Sequence, residues 1–198
     1  MTAERRDREA PLFESTQNTR WVIDGSHRFL RSDVPTAVSE EERLRLLSLG
    51  VTAVFDLRTE RERREKPCPL ADDARFAYHA VPLAGGDRVP PTPEDVPRSY
   101  IAMADAEFDR LIERLLAAKT GVLYFCNAGK DRTGVVTAAL LHRLGFPTSY
   151  IVADYMRSGV ALRQALFEFA EHDPTVDIRV ITPSEQYILA FLEWYGAR

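Results

Sequence analysis

Gly121-Val-Leu-Tyr-Phe-Cys126-Asn-Ala-Gly129-Lys130-Asp131-Arg132-Thr133-Gly134, with the apolar run Val135 to Leu144 behind it, decides how the chain reads. Its left part reads as a buried strand, and its right part as a helix from Thr133 that Gly145 and Pro147 stop. The segment between them, Cys126 to Arg132, has to turn tightly, so its backbone N–H groups converge with those of the helix start. Such a loop is a cradle for an oxyanion, with Asn127, Ala128, Gly129, Lys130, Asp131, Arg132 and Thr133 as its candidate lining.

The two ends of the loop point to chemistry. Loop amides, helix dipole and the Arg132 guanidinium all favour negative charge at Cys126, which marks that thiol as a thiolate nucleophile. Arg132 brings a planar fork of donors suited to two oxygens of a phosphate. A Walker nucleotide loop does not fit, because Tyr124 stands where its first glycine belongs and Asp131 where Ser or Thr must follow the lysine. A buried cysteine capping a strand accounts for Cys126 alone, not for Gly129, Lys130, Arg132 and Thr133 beside it.

At 198 residues and 45% hydrophobic content, the chain is expected to be one domain, residues 18–198, behind a mobile lead-in over residues 1–17. The lead-in alternates acidic and basic residues without an apolar core, which argues against a signal peptide or an integral membrane segment. A net charge of −4 argues against nucleic acid as a partner. Cys68 and Cys126 give neither a disulfide framework nor a metal spacing, and a reactive thiol fits the reducing cytoplasm, with secretion lacking a signal peptide left open. His27, His79, His142 and His172 are scattered, with no metal-ligand partner at useful spacing.

Around the loop the chain alternates strands and helices, which predicts an α/β fold of three layers, a mostly parallel central sheet between helices with a small N-terminal hairpin. The hairpin is expected from residues 18–25 and 28–32 across an Asp24-Gly25 turn. Ser39-x-x-Glu42 and Thr182-Pro-Ser-Glu185 read as capping boxes, Val51 to Leu57 as a buried strand, and residues 108–116 as an amphipathic helix. Ala84 to Pro97 reads as a Gly- and Pro-rich loop carrying Asp87 and Asp95. The charge run from Thr59 to Lys66 reads mostly as a solvated helix face. Asp56 and Arg58, at the carboxyl end of a strand, are either supporting site residues or a structural ion pair.

The spacing C-x5-R with Gly129 inside and Thr133 after it resembles the phosphate-binding loop of the cysteine-dependent protein tyrosine phosphatases. Phe29-Leu-Arg31-Ser32, Leu49 to Arg58, Ile151 to Ser158 and Tyr195-Gly196 are similar to the bacterial and fungal branch of that superfamily. The resemblance implies a phosphatase of protein tyrosine or dual-specificity type, acting on a phosphorylated protein or a phosphoinositide, without metal or cofactor. Phe125 departs from the histidine usual before the nucleophile, and Asn18 to Gly25 departs from the branch's opening motif. These departures motivate the alternative of a weak or inactive phosphate-binding module. Sulfur transfer or arsenate reduction on a similar loop fits the Arg132-Thr133-Gly134 pattern less well.

The implied mechanism is attack by Cys126 on phosphorus, a phosphocysteine, and hydrolysis, with Thr133 available to the sulfur. For the general acid, Asp131 is preferred because the loop fixes its place, and Asp87 on the long loop is the alternative. Lys130 is either a positive rim that favours multiply phosphorylated ligands or a solvated lysine. Cys68 is either a redox partner of Cys126 or a packed thiol. The oligomeric state is left open.

Overall fold

The computed structural model describes residues 12–85 and 88–198. In chain order the elements are β1 (Arg20–Trp21), β2 (Phe29–Ser32), α1 (Glu40–Ser48), β3 (Val51–Asp56), α2 (Glu60–Glu65), β4 (Ala77–Ala80), α3 (Asp95–Met103) and α4 (Ala106–Ala117). They continue with β5 (Gly121–Phe125), α5 (Asp131–Arg143), α6 (Thr148–Ala161), α7 (Arg163–His172), α8 (Ile178–Ile181) and α9 (Glu185–Gly196). The described strands form one sheet in the order β1-β2-β5-β3-β4, parallel except for the β1–β2 hairpin.

The strand that feeds the loop lies in the middle of this sheet, and its side chains alternate between faces as a strand's must. Val122 and Tyr124 enter a core built with α3, α4, α5, α6 and α9, whereas Leu123 and Phe125 enter a second core with Leu46 of α1, Leu70 and Phe76. The expected three layers and the hairpin are therefore present. Leu12 and Phe13, inside the stretch that its charge pattern assigned to the lead-in, pack into the second core, because two adjacent apolar residues there find a place beside Leu30 and Val54. Residues 1–11 lie outside the described residues.

Several element boundaries differ from the expected ones; α9, for one, is entered at Ser184 with no side-chain cap bond, so the expected Thr182–Glu185 capping box does not form. α3 starts at Asp95, within the stretch expected as loop, because Pro97 falls in its first turn, where the missing N–H would have no intrahelical acceptor anyway. α5 starts at Asp131, two residues before the expected Thr133. Asp131 and Arg132 thus belong to the helix's first turn and add their orphan amides to the loop.

Ser32 of β2 and Asp56 of β3 both lie level with Phe125, so three strands end together where the loop begins. Gly129 is what lets the loop close against them. Its φ is +63°, and a Cβ there would stand 2.5 Å from the backbone of Ser32 and Asp33. Gly129→Ala should cost about 2–4 kcal/mol of unfolding free energy, from left-handed backbone plus backbone overlap, measured by urea denaturation. A loss within about 0.5 kcal/mol, the range of a neutral surface change, would contradict this packing.

Candidate active site

Backbone hydrogen bonds set the shape of the loop. The carbonyl of Asn127 accepts from the Val34 amide at 3.1 Å, and those of Ala128 and Gly129 accept from Asn18 Nδ2 at 3.1 and 2.9 Å. Arg31 Nη2 also donates to the Gly129 carbonyl, at 2.7 Å. In a planar trans peptide the N–H points opposite to its C=O. With three successive carbonyls bonded outward, the amides of Ala128, Gly129 and Lys130 face the inside of the turn.

The donors behind the loop are themselves fixed in a buried network. Arg20 and Arg31 both pair with Asp154 of α6, and both reach Ser158 Oγ, while Asn18 Nδ2 contacts the same hydroxyl at 3.2 Å. Burial pushes the Asp154 carboxyl up, but the two guanidinium charges outweigh it and hold it below the ordinary range. Two arginines against one aspartate leave positive charge beneath the loop.

Arg132 is almost fully buried and is held end-on by Glu62 of α2, with Nη1 to Oε2 at 2.8 Å and Nη2 to Oε1 at 2.6 Å. Nη1 also reaches the Leu57 carbonyl at 3.4 Å. Of the five guanidinium hydrogens, the one on Nε and the second on Nη2 remain, and they share one edge of the fork. Nε is buried without a partner. Burial lowers the Arg132 pKa, but the Glu62 bond and then the charge at Cys126 raise it beyond its ordinary value, so thiol and guanidinium lie within electrostatic reach.

Glu62 is placed by its own helix. Thr59 and Glu62 form a capping box, and Asn127 Nδ2 donates to Glu62 Oε1 at 2.6 Å. Burial pushes the Glu62 carboxyl up, but the bonds from Arg132 and Thr59 bring it from 4.5 down to about 2. The expectation of a solvated face therefore fails at Glu62, although Arg61, Arg64, Glu60 and Glu65 beside it are exposed.

Among the described residues, four buried side-chain nitrogen or oxygen atoms lack a partner, and three of them, Asn127 Oδ1, Arg132 Nε and Thr133 Oγ1, belong to this loop. Buried polar atoms are rarely left so, and a cluster of them at one turn marks where a ligand's polar atoms belong. Residues 14–197 match the tyrosine phosphatase family.

The chain belongs to the tyrosine phosphatase family. It is 32% identical over 137 residues to the tyrosine-protein phosphatase of Nostoc commune, covering 64% of this chain and 47% of that protein. It is 30% identical over 182 residues to the triple specificity protein phosphatase PtpB of Mycobacterium tuberculosis, covering 73% and 65%. The chain thus spans about half to two thirds of these relatives' length. The crystal structure of P. aeruginosa TpbA is similar with a TM-score of 0.48 and 18% identity, covering 92% of this chain and 98% of that one.

The remaining candidate residues, Asp87 apart, have definite places. Asp131 Oδ1 accepts from the Tyr100 hydroxyl at 2.6 Å, and Oδ2 lies 3.3 Å from Lys130 Nζ. Lys130 is not solvated: it is buried in a cavity wall and donates to the Ile181 carbonyl. Together with Ala128, these two residues line a cavity of about 260 Å³ whose other walls are largely apolar, among them Val96, Met103, Leu166 and Val180. Asp87 lies outside the described residues.

Asp56 and Arg58 are fully buried and paired with each other through two side-chain hydrogen bonds, with Tyr78 on the aspartate and the Lys66 carbonyl on the arginine. The Arg58 guanidinium lies 5.3 Å from the Phe125 ring centroid, so the pair braces the strand end that precedes Cys126. Cys68 packs in the second core, and burial raises its thiol to about 11.

Sequence reasoning missed Glu62, and also the roles of Asn18, Arg31, Asp154 and Tyr100. The Thr59-x-x-Glu62 signature was available to find the first. A carboxyl whose folded pKa is depressed adds stability above its unfolded value and loses it as pH falls through the folded one. Wild-type unfolding free energy should therefore drop between about pH 4.5 and about pH 2 more steeply than that of Glu62→Gln. Equal slopes in the two proteins, measured by urea denaturation across that window, would contradict the pairing.

Proposed function

We propose that the chain is a phosphomonoester hydrolase of protein tyrosine or dual-specificity type, working through a phosphocysteine on Cys126. One observation carries this: the free edge of the buried Arg132 fork, with inward amides and further unpartnered polar atoms on the same loop. Cys126 attacks phosphorus in line. The S–P bond forms as the P–O bond to the leaving group breaks, and the Asp131 carboxyl gives its proton to the departing oxygen. Water then attacks phosphorus, Asp131 takes back a proton, and the sulfur leaves. Arg132 and the amides of Ala128, Gly129 and Lys130 hold the non-bridging oxygens through both steps. The unpartnered Thr133 hydroxyl is free to turn to the departing thiolate.

The substrate is a phosphorylated protein or a phosphoinositide. The relative named a triple specificity phosphatase supports a broad range, the apolar cavity beside Asp131 supports an aryl or acyl group next to the phosphate, and buried Lys130 supports an anionic ligand. Two free thiols fit a reducing compartment such as the cytoplasm. Among the described residues, no helix is long and apolar enough to cross a membrane.

Hydrolysis of p-nitrophenyl phosphate should fall to background in Cys126→Ser. In Arg132→Lys kcat should fall about 10²- to 10³-fold, since a point charge replaces the two-donor edge. Phosphate binding by the wild type without turnover at any pH would assign the chain to phosphate reading instead. Rates on phosphotyrosine, phosphoserine and phosphothreonine peptides, set beside phosphoinositides, then order the substrates.

A further inference from the structure

Two buried phenols stand behind Asp131 in a fixed direction. A phenol has one hydrogen to give, and that of Tyr100 goes to Asp131 Oδ1 at 2.6 Å. The 2.8 Å contact between the Tyr100 and Tyr155 hydroxyls must therefore be Tyr155 donating to Tyr100. The chain of donors runs from α6 through α3 to the first turn of α5.

Each member is held by packing. The two rings meet edge to face at 6.3 Å, and both are fully buried. A Cβ at Gly134 would lie 3.0 Å from the Tyr155 ring, so α5 presses directly on it. Asp131, in contrast, keeps 30% side-chain exposure at the cavity wall, where a carboxyl without a partner would turn freely. Burial, then the Asp131 charge, keeps the Tyr100 phenol well above its ordinary pKa, and burial does the same for Tyr155. Neither loses its hydrogen near neutral pH.

We propose that Tyr100, oriented by Tyr155, is a positioning residue for Asp131, fixing the carboxyl through Oδ1 so that Oδ2 carries the proton delivered to the leaving oxygen. This rests on the acid role assigned to Asp131 above. Tyr100 touches neither phosphorus nor leaving group. The charged and titratable groups around Asp131 are Tyr100 from α3, Tyr155 behind it from α6, Lys130 and Arg132 from its own loop, and Arg88 on the wall of the same cavity.

The test compares a substrate whose leaving group needs a proton, phenyl phosphate, with one that barely does, p-nitrophenyl phosphate. Tyr100→Phe should lower kcat on phenyl phosphate about tenfold or more, with little change in KM and a much smaller loss on p-nitrophenyl phosphate. The limb of the pH–rate profile that reports the acid should move. Tyr155→Phe keeps the bond to Asp131 and should show the same pattern at about two- to fivefold, which serves if the Tyr100 variant folds poorly. In an Asp131→Asn background, Tyr100→Phe should cost nothing further.

Equal losses on both substrates, additive with Asp131→Asn, would overturn the proposal and leave Tyr100 a packing residue. If Asp131→Asn shows the leaving-group dependence and Tyr100→Phe does not, positioning fails while the acid assignment stands. If Asp131→Asn leaves the profile untouched, the acid assignment fails and the positioning role falls with it.

Discussion

A guanidinium taken out of water has to be matched by charge and by geometry, and Arg132 is matched on one edge only. Glu62 takes the end of the fork through two bonds of 2.6 and 2.8 Å, which compensates the desolvation of both partners and forbids the arginine from turning outward. What remains is the Nε edge, buried and unpartnered, within electrostatic reach of Cys126. On the proposed reading the site is preorganised: donors stand in place for a phosphate, which leaves little reorganisation to the proposed reaction.

That single pairing depends on elements far apart in the chain. α2 has to begin at Thr59 for its capping box to fix Glu62, and Asn127 ties the same carboxylate to the loop. On the opposite side Asn18 and Arg31 pull the loop carbonyls outward, anchored by Asp154 and Ser158 of α6. The loop is held between two charged networks, acidic at the arginine and basic behind the amides. The basic one, together with the open edge of Arg132, favours an anion in the turn.

Much of this was legible. Cys126, Gly129 and Arg132 lie within one short stretch, and a loop made of neighbours in sequence needs no tertiary knowledge to assemble on paper. The alternating core of β5 and the capped start of α1 were equally local. What escaped was whatever depends on partners distant in sequence. Glu62 lies in a run of charges, where the Thr59-x-x-Glu62 spacing marks it as a cap residue, but only the approach of α5 makes it the partner of Arg132. Lys130 is buried because α8 supplies the Ile181 carbonyl, and Tyr100 matters because its hydroxyl meets that of Tyr155 in α6. The start of α3 was hidden by Pro97, which marks a loop in most contexts and a first helical turn in this one.

The proposed chemistry is covalent: the sulfur of Cys126 takes the phosphoryl group that Arg132 holds. Acid quenching during turnover of a 32P-labelled substrate, followed by peptide mapping, tests it most directly. Label should appear on the Cys126 peptide, more of it when the second step is slowed by Thr133→Ala and none in Cys126→Ser. Turnover with no label on Cys126 at any quench time, or label on another residue, would contradict it.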